Sequence, residues 1–375
     1  MSAKTITELK EQAEQKFAEL EIPAFNYGRG FALNIAVDWK KVFTEMQRAE
    51  DAEIIADERI KIRKLSESGE EFISRYAQKL VSPAENKILA LHHTAAADAA
   101  VIIIPKNTIL ENPIIINTKA AVAASAESII VIVEEGASAA IVENTTSTAD
   151  ARYKSQVVQL YLQPKAKMNY CAVHNGEKGI YSFTTKRAEV LQDANINWID
   201  FVIGDGVTQV QLRSHLRGSG AEAQQYQAMV GTEEQQSDIN SDVFHQHQNT
   251  TSTMLARGIL ADKARAMYRG TIRIEKNAPG CSGHQRCDML LVGEEARCNA
   301  IPVLEVENDD VSCSHGTTMG QIDEEQLYYL LSRGIDEKKA KQLMIAGFIE
   351  PILQKISNEK TREELLTIIR QKLEK

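Results

Sequence analysis

The sequence predicts a mainly β protein, a parallel β-helix flanked by helical regions, and two observations support this. From residue 87 to about 311 the chain is a succession of short apolar runs typical of strands, with no long amphipathic helix between them. A polar turn ending in alanine also precedes one strand after another, at Ala137, Ala166, Ala194, Ala221, Ala264 and Ala296. The intervals are 29, 28, 27, 43 and 32 residues, and repeats of this length are typical of solenoids. The core is assigned to residues 87–320, and a β-sandwich is the alternative.

Residues 1–86 are expected to form an N-terminal helical region. Leu9, Ala13 and Phe17 recur at helical spacing, and Pro23 ends this pattern. Two more helical patterns follow, at 39–51 and 69–80.

Residues 321–375 are expected to form a C-terminal helical region. Asp323 stands where a helix N-cap is expected, before an apolar-periodic run that Gly334 ends. Further helices are predicted at 336–346 and 361–373. Helices in this position either cap the end of the β-helix or dock a partner, and the sequence leaves both readings open.

Composition excludes several classes of function. The chain has 375 residues, a net charge of −9 and no clustered basic stretch, which argues against nucleic-acid binding. No apolar run approaches the roughly 20 residues that cross a bilayer, and the first residues lack an apolar signal core. The chain is therefore expected to be cytoplasmic, with no membrane partner. It contains no phosphate-binding G-x-x-x-x-G-K-[ST] motif, so it is not itself a P-loop ATPase.

Four of the five cysteines fall between residues 281 and 313, and this cluster is the candidate metal-binding region. Cys313 and His315 are two residues apart, so on a strand their side chains share one face. Cys281, His284 and Cys287 are spaced three apart. Cys281 and His284 are weaker candidates, because a closed zinc site normally has four ligands and this loop offers three. An incomplete set of this kind favours a labile or intersubunit iron–sulfur site.

Several segments together resemble the SufB/SufD family, the scaffold subunits of the SUF machinery for iron–sulfur cluster assembly. They are Ala264-Arg-Ala-Met-Tyr-Arg-Gly-Thr-Ile272, Gln285-Arg-Cys-Asp-Met-Leu-Leu-Val-Gly293, Ile301-Pro-Val-Leu-Glu-Val-Glu-Asn-Asp-Asp-Val311 and Cys313-Ser-His-Gly-Thr-Thr318 through Gly334. The resemblance covers roughly 270 residues. It implies a right-handed parallel β-helix that is an assembly scaffold and not an enzyme.

The resemblance also implies partners. A SufB-type paralogue would pair with this chain, and the ATPase SufC would dock on the helices after residue 323. The docking residues implied are Asp323, Leu327, Tyr328, Tyr329, Arg333 and Phe348. Sulfur would come from a cysteine desulfurase through a sulfur-relay protein. The cofactors implied are a transient nascent iron–sulfur cluster at the subunit interface and, as in some complexes of the family, a reduced flavin.

Motif by motif, the resemblance assigns the site. Cys287 matches the scaffold cysteine of B-type chains, His315 the interface histidine of D-type chains, and Cys313 the cysteine beside it. Gly316 replaces the acidic residue that follows the histidine in B-type chains, which makes this chain SufD-like. Two alternatives remain: a SufB-type scaffold that pairs with itself, and a β-helix carbohydrate-active enzyme, against which the chain offers only two tryptophans and no evident acid pair.

Overall fold

The computed structural model describes residues 5–25, 32–33, 35–176, 179–204, 206–356 and 358–373. The N-terminal elements are α1 (Ile6–Glu19), α2 (Trp39–Glu45), β1 (Met46–Arg48), β2 (Glu53–Ile55), β3 (Lys61–Lys64), a short 3-10 helix (Leu65–Glu67), α3 (Glu70–Tyr76) and α4 (Lys87–Ala95). The strands that follow are β4 (Ala100–Ile104), β5 (Ile114–Ala120), β6 (Ala124–Val133), β7 (Ser138–Ser147), β8 (Tyr153–Leu162), β9 (Lys167–Asn175), β10 (Tyr181–Val190), β11 (Asn195–Val202), β12 (Val207–Leu216), β13 (Glu222–Gly231), β14 (Gln236–His245), β15 (Thr251–Leu260), β16 (Arg265–Ile274), β17 (Cys281–Leu291), β18 (Arg297–Val306) and β19 (Val311–Gln321). The C-terminal helices are α5 (Glu324–Ser332), α6 (Glu337–Leu353) and α7 (Glu359–Leu373).

The strands form a parallel solenoid, which confirms the predicted fold class. The first sheet runs β18-β16-β14-β12-β10-β8-β6-β4-β3, with β1 also on β6, and the second runs β19-β17-β15-β13-β11-β9-β7-β5-β2. From β4 to β19, strands that follow one another in the chain therefore alternate between the sheets. Each coil in the second sheet adds about 29 residues, as the pairing of Ser138 with Lys167 shows.

The alanines of the sequence repeat are fully buried where the chain enters a strand. Ala137, Ala166, Ala194 and Ala221 precede strands of the second sheet, whereas Ala264 and Ala296 precede strands of the first. The change of sheet explains the interval of 43 residues, which is one and a half coils. A methyl group fits the tight corner between the sheets, where a larger side chain would displace the neighbouring coil.

The solenoid interior is apolar along most of its length but contains a buried ionic network. Lys186, Glu143, Asp200 and His174 are each at most 1% exposed. The Nζ atom of Lys186 lies 2.5 Å from Oδ1 of Asp200 and 3.9 Å from Oε2 of Glu143. Tyr170 donates a hydrogen bond to Glu143 at 2.8 Å, and His174 lies 3.4 Å from Asp200. Since a buried charge needs a partner, these residues stabilise the fold only as a set.

The N-terminal region is a mixture of helices and strands, whereas the sequence predicted mainly helix. Strand β2 pairs antiparallel with β5, and β3 pairs antiparallel with β4. These short strands cover the edges of the first coil, and sheet edges are the parts of a solenoid that most need covering. Their three- and four-residue length leaves too little periodicity for sequence analysis to detect.

The last two helices pack along the side of the solenoid. Ile349, Ile352 and Ile369 are buried with Phe201 against the outer face of the second sheet. The guanidinium of Arg257 lies 5.1 Å from the ring of Phe348 and adds a polar contact to the same interface. Helices α6 and α7 therefore do not cap the end of the solenoid.

The C-terminal end of the solenoid is open within the described part of the chain. Strands β18 and β19 are the terminal strands of their sheets, and each pairs on one side only. Pro302, in the middle of β18, fits this position because an edge strand tolerates a missing N–H. No helix among the described residues is long and apolar enough to cross a membrane.

Candidate metal centre at the open end of the solenoid

Strand β19 places Cys313 and His315 on the same face. Cys313 pairs with Gly283 and His315 pairs with Gln285, and both of these residues are buried or face the interior of the solenoid. Cys313 is half-buried and packs against the main core, whereas His315 is exposed. The i, i+2 spacing thus carries a thiol and an imidazole on the inner face of the last coil.

Cys287 lies one strand below this pair and faces the interior. It pairs with Thr317 of β19, so it is the diagonal neighbour of His315 on the same sheet face. Only 1% of Cys287 is exposed. Burial, and after it the charges of Cys298 and Asp288, raise the pKa of its thiol far above the ordinary value.

The other two candidate ligands, Cys281 and His284, point to opposite faces of β17. Cys281 is buried inside, where its Sγ lies 3.1 Å from the hydroxyl of Thr250. His284 is exposed on the outer face, and its Nδ1 lies 2.8 Å from the hydroxyl of Ser314. Residues three apart on a strand point to opposite faces, so Cys281, His284 and Cys287 do not converge on one point.

Cys298 is a cysteine of this region that the sequence did not select. It lies near the start of β18, on the opposite sheet from Cys287, and both pack in one interior cluster with Tyr268 and Met289. Burial raises the pKa of the Cys298 thiol to about 12. Only contact across the solenoid brings Cys298 to the site, and strand patterns carry no signal for such contact.

These residues do not form a complete metal site by themselves. Among the described residues, no group of three or more His, Cys, Asp or Glu side chains is placed to hold a metal ion. The thiols that face the open end have raised pKa values, so they remain protonated until a cation replaces the proton. Thiols and an imidazole suit iron or zinc, but a complete coordination sphere requires ligands from outside this set.

Two residues separate β19 from helix α5, and the helix presents an exposed aromatic face. Asp323 is its N-cap and accepts hydrogen bonds from the backbone N–H groups of residues 325 and 326. Tyr328 is 74% exposed and Tyr329 is 56% exposed, with Arg333 lying over the ring of Tyr329 at 5.1 Å. Leu327 is half-buried on this helix. Phe348 is instead half-buried beneath Arg257 on α6, so it is set apart from this face.

A cavity of about 710 Å³ lies beside the open end on the outer surface of the second sheet. Residues of β13, β15, β17 and β19 and of the chain around the end of α6 line it, among them His284, Arg286, His315 and Lys355. Lys355, two residues after the end of α6, has its ammonium nitrogen 5.0 Å from the ring of Tyr226, so this basic side chain lies against the sheet. The open end is therefore bordered by imidazole and basic side chains on its outer face.

Together these features define a class of protein: a parallel β-solenoid whose last strand carries a thiol and an imidazole and is followed by an exposed helix. The chain belongs to the SufBD family, since the family model "SUF system FeS cluster assembly, SufBD core domain" matches residues 114–348, more than half of its length. The match includes β5 to β19 and most of α6.

Curated relatives agree with this assignment. An iron-sulfur cluster assembly SufBD family protein of Staphylococcus saprophyticus is 31% identical over 205 residues, which is 55% of this chain and 44% of that protein. Proteins of the same description from Mycobacterium tuberculosis and Mycobacterium leprae are 31% and 32% identical over 205 residues, 24% of their length. The matched region thus spans less than half of these relatives.

Proposed function

We propose that this chain is a SufD-like scaffold subunit for the assembly of iron–sulfur clusters. The observation that carries the proposal is the open end of the solenoid, where Cys313 and His315 on β19 and Cys287 on the neighbouring β17 share the inner face of one sheet. A surface that ends in unpaired strand edges and incomplete metal ligands suits a partner that supplies the remaining ligands. The cluster is the cargo of this site, and a buried interface would shield it from water.

The partner at the open end is a SufB-type chain. Gly316 gives this chain no acidic side chain beside His315, so the missing ligand comes from across the interface. The same reasoning favours a D-type role, in which His315 is the main contribution and Cys287 and Cys313 supply thiols. Sulfur reaches the interface from a desulfurase through a relay protein, and a reduced flavin in the complex provides electrons.

The second partner is a SufC-type ATPase on α5. The exposed rings of Tyr328 and Tyr329 and the nearby Arg333 form an amphipathic patch of the kind that anchors protein interfaces. Because α5 follows β19 almost directly, movement of this helix would act on the strand that carries His315. This coupling supports an ATP-driven opening of the interface.

The proposal is tested by the substitution His315→Ala in a complex co-expressed with a SufB-type chain and SufC. His315 is exposed and its loss opens no core cavity, so the complex should assemble normally while its iron and sulfide content falls to background. The control is His247→Ala, which removes another exposed histidine outside the last coil. Normal iron and sulfide in the His315→Ala complex would contradict the site assignment.

Self-pairing is the second candidate, since the same open end could meet its own copy. Cys287 of one copy would then face His315 of the other. Light scattering of the chain alone and with a SufB-type partner separates the two. Self-pairing is supported by a stable homodimer that does not bind the SufB-type partner and that gains an iron–sulfur absorption band on reconstitution.

A further inference from the structure

Two thiols pack in one interior cluster near the open end of the solenoid. Cys287 is on β17 in the second sheet and Cys298 is on β18 in the first, and both pack in the cluster that contains Met289 and Tyr268. The five residues of turn between Leu291 and Arg297 connect the two strands, so both thiols lie near the same corner of the solenoid.

The coil below leaves space at this corner. Cys287 stacks on Ala256 and Cys298 stacks on Ala266, and both alanines are fully buried. Small side chains beneath both thiols let the sulfur atoms settle toward the interior without a clash. Cys298 is half-buried because β18 is the terminal strand of its sheet, so this thiol is the more accessible of the two.

The second pair of cysteines in this region is less available. Cys281 and Cys313 also share the inner face, but the Sγ of Cys281 lies 3.1 Å from the Thr250 hydroxyl and 3.3 Å from the carbonyl oxygen of His247. Within the described residues, neither Cys287 nor Cys298 has a hydrogen-bond partner of this kind.

We propose that Cys287 and Cys298 act together as a dithiol that binds one thiophilic metal ion between the two sheets at the open end. This deepens the proposed function, because it gives the chain two thiolates for incoming iron. Binding replaces two protons: one divalent ion and two thiols give one bis-thiolate complex and two protons, with no change of oxidation state. Two thiolates satisfy half of a tetrahedral ion, and His315 or the partner supplies the rest.

The test uses phenylarsine oxide, whose arsenic(III) condenses with two neighbouring thiols and releases one water molecule, whereas it holds a single thiol weakly. The native chain alone is treated with one equivalent and then unfolded in denaturant, so that every thiol without bound arsenic is exposed and can be alkylated. The peptides are mapped by mass spectrometry and compared with those of an untreated chain. The expected result is one arsenical per chain, with Cys287 and Cys298 protected from alkylation together. Pre-loading with Cd²⁺ should prevent capture of the arsenical.

Matched variants make the result specific. Cys287→Ser and Cys298→Ser should each abolish capture, whereas Cys281→Ser should retain it. Cys171→Ser should also retain it, because Cys171 is buried on the outer face of the second sheet, under the C-terminal helices. If Cys298→Ser still captures one arsenical, or if the native chain protects other cysteines or none, the dithiol is refuted.

The outcome does not depend on the assembly test. Capture by the dithiol together with normal cluster yield in His315→Ala would refute the role of His315 alone. Loss of cluster yield in His315→Ala without arsenical capture would refute the dithiol and leave the proposed function standing.

Discussion

The buried lysine inside the solenoid allows a quantitative prediction. Lys186 is fully buried, ion-paired with Asp200 at 2.5 Å and within 3.9 Å of Glu143. Its ammonium group also lies 5.2 Å from the ring of Tyr170. Burial alone would raise the pKa of Asp200, but Lys186 and His174 more than offset this and hold that pKa below its usual value.

The substitution Lys186→Met keeps the volume of the side chain and removes its charge. Asp200 and Glu143 then remain buried without their lysine partner, and breaking a buried pair in this way costs about 3–5 kcal/mol. The assay is chemical denaturation followed by tryptophan fluorescence, since Trp198 lies 5.9 Å from the ammonium group and reports on this part of the core. The free energy of unfolding should fall by that amount at neutral pH.

Two further variants make the prediction refutable. Lys167→Met changes an exposed lysine on β9 and should alter the free energy of unfolding by less than about 0.5 kcal/mol. Adding Asp200→Asn and Glu143→Gln to Lys186→Met should recover most of the lost stability, because the orphaned charges are removed with their partner. If Lys186→Met costs no more than Lys167→Met, the network does not stabilise the fold as described.

Three other predictions concern protonation and docking. Burial, with the nearby Glu143, raises the pKa of Glu127 from 4.5 to about 8, so stability should fall as pH rises through that window, by about 1.4 kcal/mol per pH unit. In Glu127→Gln, the free energy of unfolding measured by denaturation should no longer fall between pH 5 and 8. If it falls as steeply as in the native chain, Glu127 is not the group responsible. Burial lowers the pKa of His245 from 6.5 to about 4, so the free energy of unfolding should fall as the pH falls through that range. His245→Gln should make the free energy of unfolding less dependent on pH between 6.5 and 4. An equal dependence in the variant and the native chain would contradict the role of His245. Tyr328→Ala with Tyr329→Ala should abolish co-purification of a SufC-type ATPase and leave the melting temperature unchanged, whereas Ile109→Ala, an exposed apolar control at 66% exposure, should retain the ATPase.

The sequence predicted those features that repeat along one strand or one ladder. Alanine at the strand entrances indicated a solenoid, because the same corner recurs in every coil. The two-residue spacing of Cys313 and His315 placed both on one face, because side chains alternate along a strand. Asp323 was recognised as an N-cap from its type and position, and it caps α5 in the structure.

Features that depend on contact between sheets could not be predicted in this way. Cys298 comes near Cys287 only because β17 and β18 belong to opposite sheets, and their separation in sequence gives no sign of it. The pairing of Lys186 with Asp200 has the same origin. The spacing of His284 from its neighbouring cysteines resembled a metal motif, but extended backbone points His284 to the outer face.

The central claim is that this chain supplies an incomplete metal site, which a partner completes. Anaerobic reconstitution with iron and sulfide tests it most directly, with iron and sulfide measured in the chain alone, in the SufB-type partner alone and in the purified pair. We expect a cluster band and bound iron in the pair, lost on His315→Ala, and only weak iron binding in the chain alone. A monomer of this chain that holds a full cluster, with or without His315, would contradict it.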